Sequence, residues 1–282
     1  SMGAEDFGLF LARVPGAFAR LGVGFPDGRI RPIHSPGFEL DEGTLARLFT
    51  PRTRLLILNT PHNPTGKVYL REELEVIARL CQKHGVVVLS DEVYEHLTYG
   101  SACHVPIASI PGMRERTITV SSTGKTFSLT GWKVGWATGP EPLIRSVQAA
   151  HQFVTFATAT PLQVAVATAL RTHGAEYFNT FRAEYAARRD FLVGALRGAG
   201  FDVAVPRGTY FVLADFTRLS RKDDRAFARE LVEKAKVAAI PPSVFYSACP
   251  EEGRRLVRFA FCKKMETLRA AAERLAAIQP GS

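Results

Sequence analysis

Two lysines stand eight positions apart in SSTGKTFSLTGWKVGW, residues 121–136. Small and hydroxylated residues surround Lys125, and a Gly-Trp pair precedes Lys133. A neutral lysine amine forms a Schiff base with an aldehyde. A lysine that stays charged, beside a serine such as Ser122 and the N–H groups of a small-residue loop, suits a phosphate. Asp91 emerges directly from the apolar run VVVLS. A partly desolvated carboxylate there needs a partner, and a protonated ring nitrogen is a suitable one. Tyr94 follows three residues later, and Asn63 sits in the Pro-bracketed turn PHNPTG. Each carries a donor for a phenolate-type oxygen. Taken singly, NPTG is a turn, Asp91 ends a strand and Lys125 is a solvated amine; their order and shared location carry the joint reading.

Regular elements must bring these residues together. RLLIL (54–58) and TITV (117–120) are short apolar runs, and VVVLS (86–90) is β-branched, as in strands buried on both faces. LREELEVIARLCQKHG (70–85) has apolar residues at helical spacing and stops at Gly85. Strands separated by helices imply a mostly parallel, covered sheet. In such a sheet, ligands bind beyond the carboxyl ends of the strands. NTPHNPTGKVY, DEVYEHLTYG and the two-lysine stretch each follow one of these strands. An aldehyde, a ring nitrogen, a ring hydroxyl and a phosphate together describe pyridoxal 5'-phosphate. Farther on, a long helix at 176–198 is followed by DVAV, GTYFVLADF, a helix near 224–236, RLVRFAF and a helix near 265–278. That order predicts a smaller α+β unit. Before residue 54, only DEGTLARLF (41–49) resembles a capped helix.

Composition narrows the classes. The 282 residues carry a net charge of +9. The arginines are scattered among acids on helical stretches such as FRAEYAARRDFLVGALRGAG rather than focused in a stripe, so no nucleic-acid partner is expected. No apolar run approaches the ~20 residues that span a bilayer, so no membrane association is expected. Cys81, Cys103, Cys249 and Cys262 form no CxxC pair, and no His/Cys grouping has metal-ligand spacing. Reduced thiols, a cytoplasmic location and no metal site follow as expectations.

With these residues in view, SSTGKTFSLTGWKVG resembles the lysine-attachment signature of class I/II aminotransferases, the fold type I pyridoxal-phosphate enzymes. NTPHNPTGKVY and SDEVYEHLTY resemble that family's asparagine and aspartate–tyrosine motifs. The nearest resemblance is to the branch of kynurenine aminotransferase and glutamine transaminase K, with methionine and N-succinyldiaminopimelate aminotransferases. The resemblance implies a three-layer α/β large domain, its mostly parallel sheet covered by helices, and a smaller α+β carboxy-terminal domain. It divides the chain into an amino-terminal arm (1–30), a cofactor-binding domain (31–180) that is incomplete, and a small domain (181–282). It makes Lys125 the Schiff-base lysine and proton carrier. Asp91 becomes the ring-nitrogen partner, Asn63 and Tyr94 the ring-hydroxyl partners, and Ser122 and Lys133 the phosphate ligands. LVRFAFCK resembles the family's carboxylate clamp, which assigns Arg258 to the substrate α-carboxylate, beside Asn63. GVGFPDG (22–28) resembles a loop whose backbone, at Gly24, receives the same carboxylate.

The implied activity is transamination between an amino acid and a 2-oxo acid by a homodimer. The donor classes are aromatic, sulfur-containing, amide or succinylated diamino acids. Cysteine-conjugate β-lyase chemistry and a cofactor-free, non-catalytic domain are the alternatives. In the family a long segment separates the GFPD loop from the stretch that resembles FELDEGTLARLFTPRTR; here only residues 29–37 do. That segment would hold the glycine-rich phosphate loop, the aromatic that stacks on the ring and early sheet strands. Losing sheet strands and part of a core is severely destabilising, so the full protein is expected to contain it.

Overall fold

The computed structural model describes residues 40–245, 251 and 253–278. The amino-terminal arm, Gly24 and Cys249 therefore lie outside the described residues. Helix α1, Glu42–Leu48, opens on Asp41, whose Oδ1 accepts the Thr44 N–H at 2.6 Å. This is the capped helix expected from DEGTLARLF. Strand β1, Leu55–Asn59, leads to α2, Arg71–His84, and then to β2, Val87–Asp91. Gly85 ends α2 with φ 66°, and its N–H closes on the Cys81 and Gln82 carbonyls. A residue without Cβ adopts that left-handed conformation freely, so the stop is where the sequence places it.

Strand β3, Thr117–Ser122, passes directly into a single helical turn, α3, Thr123–Thr126. The chain then returns as β4, Gly135–Thr138. The sheet order is β1-β2-β3-β4. The first three strands are parallel and β4 is antiparallel. The loop read from residues 121–136 is thus a strand end, a helical turn, a 3₁₀ turn at Thr130–Trp132 and the start of a strand. Gly135 permits the close return: a Cβ there would lie 2.8 Å from the Ser121 carbonyl oxygen.

The two faces of this sheet differ. Leu58 and Val88 pack with Leu74, Ile77 and Cys81 of α2 and with Ile107 and Met113 of the β2–β3 connection. Leu55 and Ile57, which alternate with Leu56 and Leu58, are 46% and 43% exposed. Successive strand residues point to opposite faces, so among the described residues β1 is covered on one face only. Helix α4, Glu141–Val154, has no buried residue, and α5, Thr160–Thr172, has only Val166.

Helix α6, Ala175–Gly198, crosses to a second sheet of β5, Asp202–Val203, β6, Phe211–Asp215, and β7, Leu256–Ala260. All its pairings are antiparallel. Helix α7, Asp224–Glu230, continues into a π turn at Leu231–Ala235, and α8, Met265–Ala276, follows β7. These are the elements expected after residue 176, within a few residues at their ends. Leu192 and Leu196 of α6, Val212 and Ala214 of β6, Val257 and Phe259 of β7, Phe227 of α7 and Leu275 of α8 share one core.

Backbone bonds join the two sheets. Gly66 O accepts the N–H groups of Arg207 and Gly208 at 3.1 and 2.8 Å. Tyr99 N–H reaches Arg207 O, and Thr209 N–H reaches Leu97 O, each at 2.9 Å. Gly66 has φ 70°, and a Cβ there would lie 2.4 Å from Pro206 Cβ. Among the described residues, no helix is long and apolar enough to cross a membrane.

Candidate active site

The parallel register places three polar strand ends side by side. Asn59 pairs with Asp91, and Asp91 pairs with Val120, two residues before Ser122. Asn59 then fixes the next turn, because its Oδ1 accepts the Asn63 N–H at 2.8 Å and its Nδ2 donates to Asp91 O at 3.2 Å. Asn63 and Asp91 are thereby set at the same sheet edge.

Asp91 is half-buried, and its Oδ1 accepts one hydrogen bond, from Val93 N–H at 3.3 Å. Burial raises its pKa; the Val93 N–H and the nearby Lys125 ammonium oppose that rise. Lys125 Nζ stands 6.0 Å from the centroid of the Tyr94 ring. Tyr94 is buried, and its phenol is driven upward by burial first and then by Tyr210, while the Arg258 guanidinium pulls the other way. Tyr210 meets Tyr94 edge-on at 5.2 Å between centroids.

From the second sheet comes Arg258. Its Nη1 donates to Asn63 Oδ1 at 2.9 Å. Its guanidinium stacks 4.2 Å from the Phe211 centroid and 5.1 Å from that of Phe245. Burial lowers its pKa, against Tyr94 and Tyr210. Ile240 bridges β7 at Arg258 with backbone bonds in both directions. The residue is therefore a half-buried, oriented cation rather than a solvated arginine on an edge strand.

Lys125, Asp91, Tyr94, Asn63 and Arg258 thus converge, drawn from positions far apart in the chain. Ser122 and Lys133 occupy the neck of the β3–β4 return. Thr123 closes that neck, with its N–H and Oγ1 both donating to Val134 O, at 3.1 and 2.9 Å. Lys133 is exposed and holds φ 54°. A lysine in that sparsely occupied region marks a backbone held by its surroundings. The structure gives neither the Ser122 nor the Lys133 side chain a hydrogen-bond partner among the described residues.

The sequence reading did not single out Asn59, Tyr210, Phe211 or Phe245. For Asn59 a signal existed in NTPHN, two asparagines one helical turn apart after a strand. The aromatics carried none, because their role depends on the second sheet meeting the first.

The donor set fits pyridoxal phosphate. A half-buried carboxylate with spare acceptor capacity, a buried phenol, an amide and an amine face one another, and a serine and a free lysine side chain stand at the adjoining turn. Residues 24–275 match the family model for aminotransferase class I and II. The probable N-succinyldiaminopimelate aminotransferase DapC of Mycobacterium tuberculosis is 45% identical over 260 residues, which are 90% of this chain and 64% of that protein. Kynurenine–oxoglutarate transaminase of Dictyostelium discoideum is 42% identical over 263 residues, covering 86% of this chain and 60% of its own length. The solved structure of YbdL from Escherichia coli, described as having a methionine aminotransferase function, superposes with a TM-score of 0.81 at 40% identity, over 87% of this chain and 64% of that one. The chain spans less than two thirds of the length of these proteins. It belongs to the class I and II aminotransferases.

Proposed function

We propose that the protein to which this chain belongs is a pyridoxal-phosphate-dependent aminotransferase, moving an amino group between an amino acid and a 2-oxo acid. The observation that supports it most is the convergence of Lys125, Asp91, Tyr94 and Asn63 with Arg258 at the join of two sheets. When bound, the cofactor supplies an electron sink for negative charge developing at the substrate Cα.

Each residue has a separate task in this reading. Asp91 holds the ring nitrogen and keeps its proton there. Tyr94 and Asn63 donate to the ring hydroxyl oxygen. Ser122 and Lys133 hold the phosphate. Lys125 is the amine that engages the cofactor and then carries the proton at the substrate Cα. Arg258 presents two parallel N–H donors to the α-carboxylate, and its stack on Phe211 fixes the plane in which they point. Asn63 is shared between the ring side and the carboxylate side, which its bond to Arg258 reflects. Gly24 is proposed to add a backbone N–H to the carboxylate.

The donor is drawn from aromatic, sulfur-containing, amide or succinylated diamino acids. The aromatic surroundings of Arg258 suit the apolar members of that set. The boundary between the cofactor-binding and small domains is placed near residue 180. A homodimer is proposed, supported by the apolar α4–α5 region, where Phe153 and Phe156 are 87% and 81% exposed. A cytoplasmic location belongs to the same reading, in keeping with Cys81, Cys103 and Cys262, which are free thiols.

The test is a panel of amino donors with 2-oxoglutarate in the presence of pyridoxal phosphate. Glutamate formation that Lys125→Ala abolishes supports the reading. Pyruvate and ammonia from cysteine conjugates, without glutamate, would replace it with β-lyase chemistry, and no cofactor uptake would replace it with a non-catalytic domain.

A further inference from the structure

The stretch from the last residue of β2 onward has two working faces. Asp91 and Tyr94, three residues apart, face Lys125 and Arg258. Glu92 and Glu95, also three apart, are held by different partners. Glu92 is 1% exposed, and its Oε1 accepts the Ser90 hydroxyl at 2.7 Å. Its Oε2 lies 2.7 Å from His104 Nε2, whose side chain is also buried. Glu95 Oε1 accepts the Ser121 hydroxyl at 2.7 Å and lies 3.8 Å from His96. The backbone between them is two tight turns, Glu95 N–H to Glu92 O and Leu97 N–H to Tyr94 O, at 2.9 and 2.8 Å.

We infer that Glu92 and Glu95, through His104 and Ser121, are positioning residues that set the orientation of Asp91 and Tyr94. On the site side, one 3.3 Å bond from Val93 is the hydrogen bond that restrains the Asp91 carboxylate. On the opposite side, three short side-chain bonds tie Glu92 and Glu95 to β2, to β3 and to the loop that carries His104. The buried Glu92 carboxylate holds such partners strongly, because leaving it unpaired is expensive, and the half-buried Glu95 does so less. Rotating the turn to move Tyr94 would break those bonds, and they add to the pairing with Asn59 and Val120 that holds Asp91 at the end of β2. The acids therefore convert the rigidity of two strands and a loop into a fixed placement of the two residues that face the ring.

The inference rests on the cofactor reading above, and its test has one arm that needs no cofactor. Amide hydrogen exchange at residues 93–97 is measured without added cofactor in wild type, Ser121→Ala, Ser121→Thr and His104→Gln. Affinity for pyridoxal phosphate is then read by absorbance titration. Ser121→Ala and His104→Gln are expected to speed exchange at 93–97 by about tenfold or more, while the α2 amides keep their rates. Both are expected to weaken cofactor binding by about fivefold or more, and Ser121→Thr, which retains the hydroxyl, is expected to restore both. Should His104→Gln fail to fold, the serine pair decides alone. Unchanged exchange at 93–97 would overturn the inference. So would faster exchange with unchanged cofactor affinity. A wild-type chain that takes up no pyridoxal phosphate would sink the cofactor reading instead, leaving the exchange comparison to judge the anchor.

Discussion

The second sheet and the first solve the same packing problem to different degrees. Around β5–β7, apolar side chains from α6, α7 and α8 meet on a closed core. Around β1–β4, α2 and the β2–β3 connection close one face, while Leu55 and Ile57 on the other remain in water. Parallel sheets are ordinarily covered on both faces. This chain covers 64% and 60% of the length of two of its relatives. The candidate site inherits this difference. Its best-held members, Asn63, Tyr94 and Arg258, lie where the two sheets join. Its least-held members, Ser122 and Lys133, lie in the β3–β4 return, which rests on the start of α6 through Tyr177 and Phe178.

The largest contrast should appear in unfolding. Leu196→Ala or Phe261→Ala, both fully buried in the second core, is expected to cost about 3–5 kcal/mol, while Ile57→Ala costs under about 1 kcal/mol. Urea titration reads both, and similar losses would erase the distinction. Next is the contribution of the second sheet to the site. Arg258→Lys removes a planar, doubly donating cation and is expected to raise the KM for the amino acid by about 10–100-fold. An unchanged KM would mean the carboxylate binds elsewhere. Gly66→Ala attacks the join itself, through both φ 70° and the 2.4 Å approach to Pro206, and is expected to cost about 1–3 kcal/mol. Full stability would show that the join yields.

The smallest effects are pH effects, one in each direction. His96, stacked 4.0 Å from Phe178, is lowered to about 4 by burial, then by Arg182 and His104. The unfolded chain binds that proton more readily, so His96 contributes stability that is present above pH 6.5 and lost as pH falls toward 4. His96→Gln should flatten the stability curve across that window in a pH series of thermal melts. Asp91 acts oppositely. Its raised pKa makes the folded state bind the proton more tightly, so its contribution is present below the ordinary aspartate value and falls as pH rises toward the raised one. Asp91→Asn is therefore expected to raise Tm slightly in the cofactor-free protein at pH 7 while abolishing cofactor uptake. A lower Tm would show that Asp91 is held by more than Val93.

Much of this was legible because local rules and the global fold agree. Asp41 caps α1, Gly85 stops α2, and β-branched runs become the inner strands. Asn63, Asp91, Tyr94, Ser122 and Lys125 were legible as candidates because each ends or follows a strand of the first sheet, whose parallel strand ends meet, whereas Arg258 comes from within β7 of the antiparallel sheet. Strand β4 was not, since GWAT is too short to show periodicity and depends on Gly135 fitting against Ser121. The half-burial of Arg258 was equally invisible, because it comes from Phe211, Phe245 and Asn63 across the join. Glu92 and Glu95 were in view as part of DEVYEHL, but nothing in a linear motif says which acids face the site and which hold it from behind.

The central claim is that Lys125 is the amine the cofactor engages. Borohydride reduction of the protein with pyridoxal phosphate, followed by peptide mass mapping, tests it directly. The account predicts a single stoichiometric label on Lys125, lost in Asp91→Asn. A label spread over surface lysines, one centred on Lys133, or none at all would contradict it.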